Sequence, residues 1–305
     1  MEKPIFQARK LTKRYKKHDV LRDFNMEIRR GEIYGFIGRN GAGKTTLMRI
    51  LAGRTMPTSG EIELFGATSL KEIDKQRIRM NGIVEKPALY PGMTARDNLE
   101  ICRLQRGILD KECIGRALDE VGLCDVGAKK VKHFSLGMKQ RLGLAMALLG
   151  GTEFLFLDEP ANGLDSVGMA EVGEILKKLN QERGITILIS SHLLVELQQL
   201  ATCYGFIHEG RMLEEISADE LQKKCGEFLH IRVDNAEMGR KVLQENFPSS
   251  RIEVARNTLR FYDPPQQHGD ITQALVSAGV SVEEIALRGV GLGDYFTGLI
   301  ENAKF

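Results

Sequence analysis

The sequence carries no excess of either charge. Its 305 residues hold 43 Lys+Arg against 41 Asp+Glu, a formal net charge of +2. No strongly basic face is implied, and charge gives no reason to expect a nucleic-acid partner. Long apolar runs are also missing. The most apolar stretch, residues 144–157, is broken by Gly150, Gly151, Thr152 and Glu153. Nothing approaches the roughly 18–20 residues that span a bilayer. The opening MEKPIFQARKLTKRYKK has no apolar centre of the kind a secretory signal needs. Cysteine is sparse: Cys102, Cys113, Cys124, Cys203 and Cys225 form an odd set with no CxxC pair. That argues against a metal or disulfide role and for buried or incidental thiols in a reducing compartment, so the cytosol is expected. Internal repeats and low-complexity segments are absent too. What remains is ordinary globular composition, 42% hydrophobic and 28% charged, in a chain long enough for one large domain and a smaller one.

Short β-like runs alternate with helical stretches. Residues 32–37 read as a strand running into a glycine-rich turn, and 44–52 as a helix. Residues 61–64 are another strand, closed by Gly66. From about 71 to 150 the pattern is mostly helical. Thr94 with Asp97 forms a capping box for a helix through Leu104, Asp110 caps a second helix and Ser135 a third. Strands return at 154–157, 185–190 and 204–208, with Asp165 capping a helix that ends before Gly184. Alternation of this kind around apolar strands predicts a parallel α/β sheet with a helical insertion. Beyond Gly226 the order becomes strand 228–233, helix 236–245, strands 251–254 and 259–262, a break at Pro264 and Pro265, helix 271–278, strand 282–287 and a last helix over 291–301. That β-α-β-β-α-β order is the ferredoxin-like split βαβ. The expected domains are therefore 1–225 and 226–305.

Gly38, Arg39, Asn40, Gly41, Ala42, Gly43, Lys44, Thr45 and Thr46 read GRNGAGKTT, which fits GxxxxGK[ST]. Glycines let the backbone curl so that successive N–H groups face one point, and the following helix adds its positive end. Lys44 supplies a cation for β- and γ-phosphates, and Thr45 a hydroxyl for Mg²⁺. A strand before the loop and a helix after it are the context this motif requires. Downstream, FLFLDEP (154–160) is a buried strand that delivers Asp158 to the carboxyl edge of the sheet. A carboxylate there can hold Mg²⁺ through water, and Glu159 beside it can accept a proton from an attacking water. His192 ends the strand of 185–190 and reaches the same edge.

One stretch, FSLGMKQRLGLA (134–145), is a capped apolar helix without chemistry of its own. Beside the others, its place becomes clear: the motif set resembles the ATP-binding cassette (ABC) ATPases over roughly residues 4–220. The loop at 38–45 resembles the family's Walker A motif and 154–159 its Walker B strand. Residues 134–138 resemble the signature, and Asn162, Gly163, Leu164 and Asp165 the D-loop. His192 is similar to the switch histidine, and Tyr15 to the aromatic that stacks on adenine. The resemblance implies an ATPase of P-loop α/β fold, with a parallel core sheet, an N-terminal antiparallel β region, a helical insertion and here a small C-terminal α+β domain. It implies ATP and Mg²⁺ as cofactors, and two cassettes meeting head to tail. ATP then lies between the loop of one and Ser135 and Gly137 of the other. With one loop and one signature, the chain pairs with a copy of itself or with a homologous ATPase.

Two departures from the family pattern stand out. Glu85, in GIVEKPALYPGMT, occupies the usual glutamine position; it keeps an oxygen for Mg²⁺ and adds charge. Leu136 and Met138 replace the usual glycine and glutamine of the signature, while Ser135 and Gly137 remain. Both variants resemble the bacitracin and lantibiotic branch, whose ATPases serve export of, or immunity to, antimicrobial peptides. The implied partner is a separate multi-span permease, with the ATPase peripheral on the inner face of the cell membrane. A non-transport ABC ATPase acting on ribosomes or DNA is the alternative; such proteins usually carry two cassettes, a long coiled coil or added DNA-contacting domains. For the C-terminal domain, a regulatory ligand module and packing that steadies the dimer both remain open, and His230 and His268 suggest no site.

Overall fold

The structure, a computed structural model, describes residues 3–192, 197–198, 200–225, 227–248, 250–262, 269–289 and 292–303. The expected break at Pro264 and Pro265, His268 and the expected helix start at Gly291 lie outside the described residues. Two compact units divide the chain, 1–218 and 219–305.

In the first unit, β1 (Phe6–Tyr15) pairs antiparallel with β2 (His18–Ile28) and with β4 (Ser59–Leu64) in a three-stranded sheet. The larger sheet has the order β5-β6-β7-β3-β8-β9. Its members are β3 (Ile33–Ile37), β5 (Met80–Ile83), β6 (Phe154–Asp158), β7 (Thr186–Ser191), β8 (Cys203–His208) and β9 (Arg211–Ser217). All its pairings are parallel except β8 with β9. Every residue of β3, β6 and β7 is buried. That is why their centres read as mostly apolar rather than alternating: both faces are covered.

Helix α1 (Lys44–Leu51) follows β3 directly. Its cap residue, Gly43, has φ 115°, and a Cβ there would stand 2.9 Å from the Val20 carbonyl. Only glycine fits. Helix α2 (Leu70–Gln76) comes before β5. Placing a mostly helical insertion at 71–150 meets a difference here. β5 lies inside that span and pairs in parallel with β6, Met80 opposite Phe154. The helices α3 (Ala95–Gln105), α4 (Cys113–Glu120) and α5 (Leu136–Leu148) follow it. Thr94 and Asp97 make the expected capping box on α3. Asp110 stands two residues ahead of the α4 cap position, accepts from the Glu112 N–H at 2.9 Å and pairs with Arg116. Ser135 caps α5 and Asp165 caps α6 (Ser166–Arg183) through side-chain oxygens. The next helix, α7 (Ala218–Lys224), begins at the division and lies in the second unit from Asp219 on.

In the second unit, β10 (Glu227–Val233), α8 (Ala236–Asn246), β11 (Ile252–Ala255), β12 (Thr258–Tyr262), α9 (Gly269–Ser277) and β13 (Val282–Gly289) give the expected order, followed by α10 (Leu292–Asn302). Its antiparallel sheet runs β11-β12-β10-β13, as the split βαβ requires. Leu229, Ile231, Val233, Leu259 and Phe261 pack against Leu243, Ile271 and Leu275 in a core of its own.

Candidate nucleotide site

The parallel strands β3, β6 and β7 end side by side, in register Ile37 with Ser191 and Asp158 with Ser190. Everything that follows is a consequence of that edge. The loop after β3 caps α1 with Gly43, which offers no side-chain acceptor. The first N–H groups of the helix therefore have no intrahelical partner and form an anion-binding end.

Lys44 is only 4% exposed. Its ammonium donates to the Gly38 carbonyl at 2.5 Å and pairs with Glu159 Oε1 at 3.2 Å. The other oxygen of Glu159 meets His192 Nδ1 at 3.0 Å. Glu159 thus bridges a lysine from the phosphate loop and the histidine of the strand beyond β6. The Thr45 hydroxyl donates to Asp158 Oδ2 at 2.7 Å, and the Ser190 hydroxyl donates to Asp158 Oδ1, also at 2.7 Å. Chemically, the arrangement combines a fixed cation, two hard oxygen donors and a carboxylate hydrogen-bonded to an imidazole.

A cleft of about 740 Å³ opens beside these groups. Thr45, Asp158 and Glu159 form one wall; Glu85, Leu136, Lys139 and Gln140 belong to others. Glu85 stands at φ 69°, and its carboxylate pairs with Arg49 of α1 rather than with Thr45 or Asp158. The Glu85 loop lies close against α5: a Cβ on Gly143 would fall 2.6 Å from Pro87 Cβ.

The remaining expected residues sit apart. Ser135 is exposed at the start of α5, and its hydroxyl accepts the Met138 N–H at 3.2 Å. Gly137 lies in the first turn of the same helix. Asp165 is also exposed and accepts the Gly168 N–H at 2.9 Å. Tyr15 ends β1 with 40% of its surface exposed and Lys13 Nζ 4.8 Å above its ring. The structure thus gathers Lys44, Thr45, Asp158, Glu159 and His192 at one edge and leaves Tyr15, Ser135, Gly137 and Asp165 outside that hydrogen-bonded group.

Sequence reasoning missed Ser190 and Arg49. Ser190 read only as the end of a strand, because its role depends on the register with Asp158. All five cysteines are free thiols. Burial pushes the Cys203 thiol up to about 12 and raises Cys102 as well, so neither is a reactive thiolate.

Fold and edge together define a P-loop nucleoside triphosphatase with the strand-end carboxylates of that class. The comparisons with known proteins narrow this. The family model described as "ABC transporter" matches residues 21–162. The chain is 42% identical to the bacitracin transport ATP-binding protein BcrA of Bacillus licheniformis, over 97% of both chains. It is 41% identical to the lantibiotic transport ATP-binding protein SrtF of Streptococcus pyogenes, over 70% of this chain and 92% of that one. Among solved structures, cbiO1 of Clostridium perfringens, part of an ABC transporter complex, superimposes with a TM-score of 0.67 at 26% identity, covering 81% of this chain and 97% of that one. The chain belongs to the ABC transporter ATP-binding proteins. It is the ATP-hydrolysing subunit of such a transporter, a class whose members form dimers and pair with membrane permease components. Among the described residues no helix is long and apolar enough to cross a membrane.

Proposed function

We propose that this chain powers a multi-span permease that exports, or confers immunity to, an antimicrobial peptide, working from the inner face of the cell membrane. The observation that carries the proposal is the convergence of Lys44, Asp158, Glu159 and His192 at one sheet edge. The whole-length likeness to bacitracin transport proteins supplies the cargo class. ATP binds over Gly38, Arg39, Asn40, Gly41, Ala42, Gly43, Lys44, Thr45 and Thr46, with its adenine on Tyr15. Lys44 holds the β- and γ-phosphates. Glu159 takes a proton from the attacking water while His192 holds its second oxygen. In a homodimer, or a pair with a homologue, Ser135 and Gly137 of one copy and the Asp165 loop close over the γ-phosphate held by the other.

Mg²⁺ fits this edge. Thr45 Oγ1 and Asp158 Oδ2 are hard oxygen donors 2.7 Å apart, the ligand type this cation takes. Glu85 lines the same cleft and is the third candidate. Among the described residues no three His, Cys, Asp or Glu side chains cluster as a metal cage; phosphate and water oxygens would complete the shell. When bound, the ion neutralises charge developing on the phosphate oxygens.

The test is genetic and biochemical. Deleting the chain from its host should raise sensitivity to bacitracin-like or lantibiotic peptides, and the tagged chain should capture a multi-span protein from solubilised membranes. Unchanged sensitivity to every such peptide would remove the cargo assignment. Co-sedimentation with ribosomes and no membrane partner would remove the transport reading itself.

A further inference from the structure

Ser190 is wholly buried and uses its one hydroxyl twice. It donates to Asp158 Oδ1 at 2.7 Å and accepts the Glu159 N–H at 3.0 Å. The Ser190 carbonyl shares that same N–H at 3.2 Å. The contacts follow from the β6–β7 register, which sets Asp158 opposite Ser190. Glu159 itself stands at φ 48°. That left-handed conformation is uncommon for a residue with a side chain, and it persists where surrounding contacts hold it.

We propose that Ser190 is the positioning residue for both acids of the hydrolytic edge. The proposal rests on the roles given above to Asp158 and Glu159. With Oδ1 tied to Ser190, the Asp158 carboxylate cannot rotate freely, and Oδ2 is turned toward Thr45. With its N–H tied to Ser190, Glu159 keeps the backbone turn that aims its carboxylate between Lys44 and His192. A hydroxyl can be donor and acceptor at once; alanine and valine can be neither. The neighbouring Ser191 belongs to the same strand, and the next residue is His192. One strand end thus supplies the histidine that binds Glu159 and the serine that aims it.

Ser190→Ala in the full chain tests this. ATP turnover should fall about 10- to 100-fold, the effect of losing a hydrogen bond to a charged group, while KM for ATP moves by less than about threefold. The melting temperature should fall by no more than a few degrees, the protein should stay folded at assay temperature, and ATP binding should stay near that of the parent. Ser190→Thr, which keeps the hydroxyl, should return kcat to within about threefold of the parent, and Ser190→Cys, a poor donor, should fall between. Parent-like turnover in Ser190→Ala overturns the proposal. So does a Thr variant that folds yet is as slow as Ala, or, if Thr does not fold, a Cys variant no faster than Ala. Glu159→Gln is run in parallel. If that protein turns over ATP at the parent rate, the assignment of Glu159 falls; if it is silent while Ser190→Ala is parent-like, only the role of Ser190 falls.

Discussion

At the carboxyl edge of the large sheet, Lys44, Asp158 and Ser190 are buried and bonded to one another's elements, with contacts of 2.5 to 3.2 Å. At the start of α5 the picture is the reverse. Ser135 is exposed, Leu136 is 46% exposed, and the Ser135 hydroxyl serves only as a helix cap. Both ends present helix N-termini suited to phosphate. Only the first carries groups that can move a proton. On the proposed reading, chemistry is assembled within one chain while the second end serves contact, and a change at either end should separate hydrolysis from association.

The largest effect belongs to the buried edge. Glu159→Gln keeps the size of the side chain and an oxygen for Lys44 but removes the proposed base. Turnover should drop about 10²- to 10⁴-fold, and ATP should hold a long-lived dimer detectable by size-exclusion chromatography. Hydrolysis at the parent rate would show that the two ends do not divide the work in this way. A smaller and purely associative effect is expected at the exposed end. Ser135→Arg, placed in the Glu159→Gln background, should prevent the ATP-held dimer while ATP affinity of the monomer changes by less than about threefold. If the monomer also lost ATP, the α5 end would belong to the same chain's site.

How much of this was legible varies with the kind of contact that fixes it. Strands β3, β6 and β7 were readable because complete burial leaves an apolar run. Ser135, Asp165 and Thr94 were readable as caps because a capping side chain bonds within its own turn. The phosphate loop was readable for the same local reason. β5 was not: Asn81 and Gly82 are poor strand formers, and the pairing with β6 sets Met80 against Phe154, far along the chain. β9 alternates weakly and takes its place as the antiparallel edge by pairing with β8. Ser190 and Arg49 escaped notice because a register between strands and a contact across a loop decide their partners. The second unit was legible from its order alone, since β10, α8, β12 and α9 bury apolar faces in a small core.

The smallest effect, and the sharpest division between the ends, lies at Glu85. Its carboxylate pairs with Arg49, whose guanidinium also interacts with Tyr15 and is held more firmly charged by the Glu85 hydrogen bond. Both side chains are substantially exposed, at 43% and 58%. Pairs of this kind contribute about 0–1 kcal/mol, screened by salt. In a double-mutant cycle, Arg49→Gln and Glu85→Gln should each cost less than about 1 kcal/mol of stability, with a coupling energy no larger. Turnover separates two roles that stability cannot. If Glu85 matters as Arg49's partner, removing either member should change kcat alike, and the double variant should be no worse than the singles. If Glu85 matters as an oxygen ligand for Mg²⁺, Glu85→Gln should raise the Mg²⁺ concentration needed for half-maximal turnover, and Arg49→Gln should leave it unmoved. The cleft wall that carries Glu85 would then join the buried edge as part of the chemistry rather than the exposed end as part of the contact.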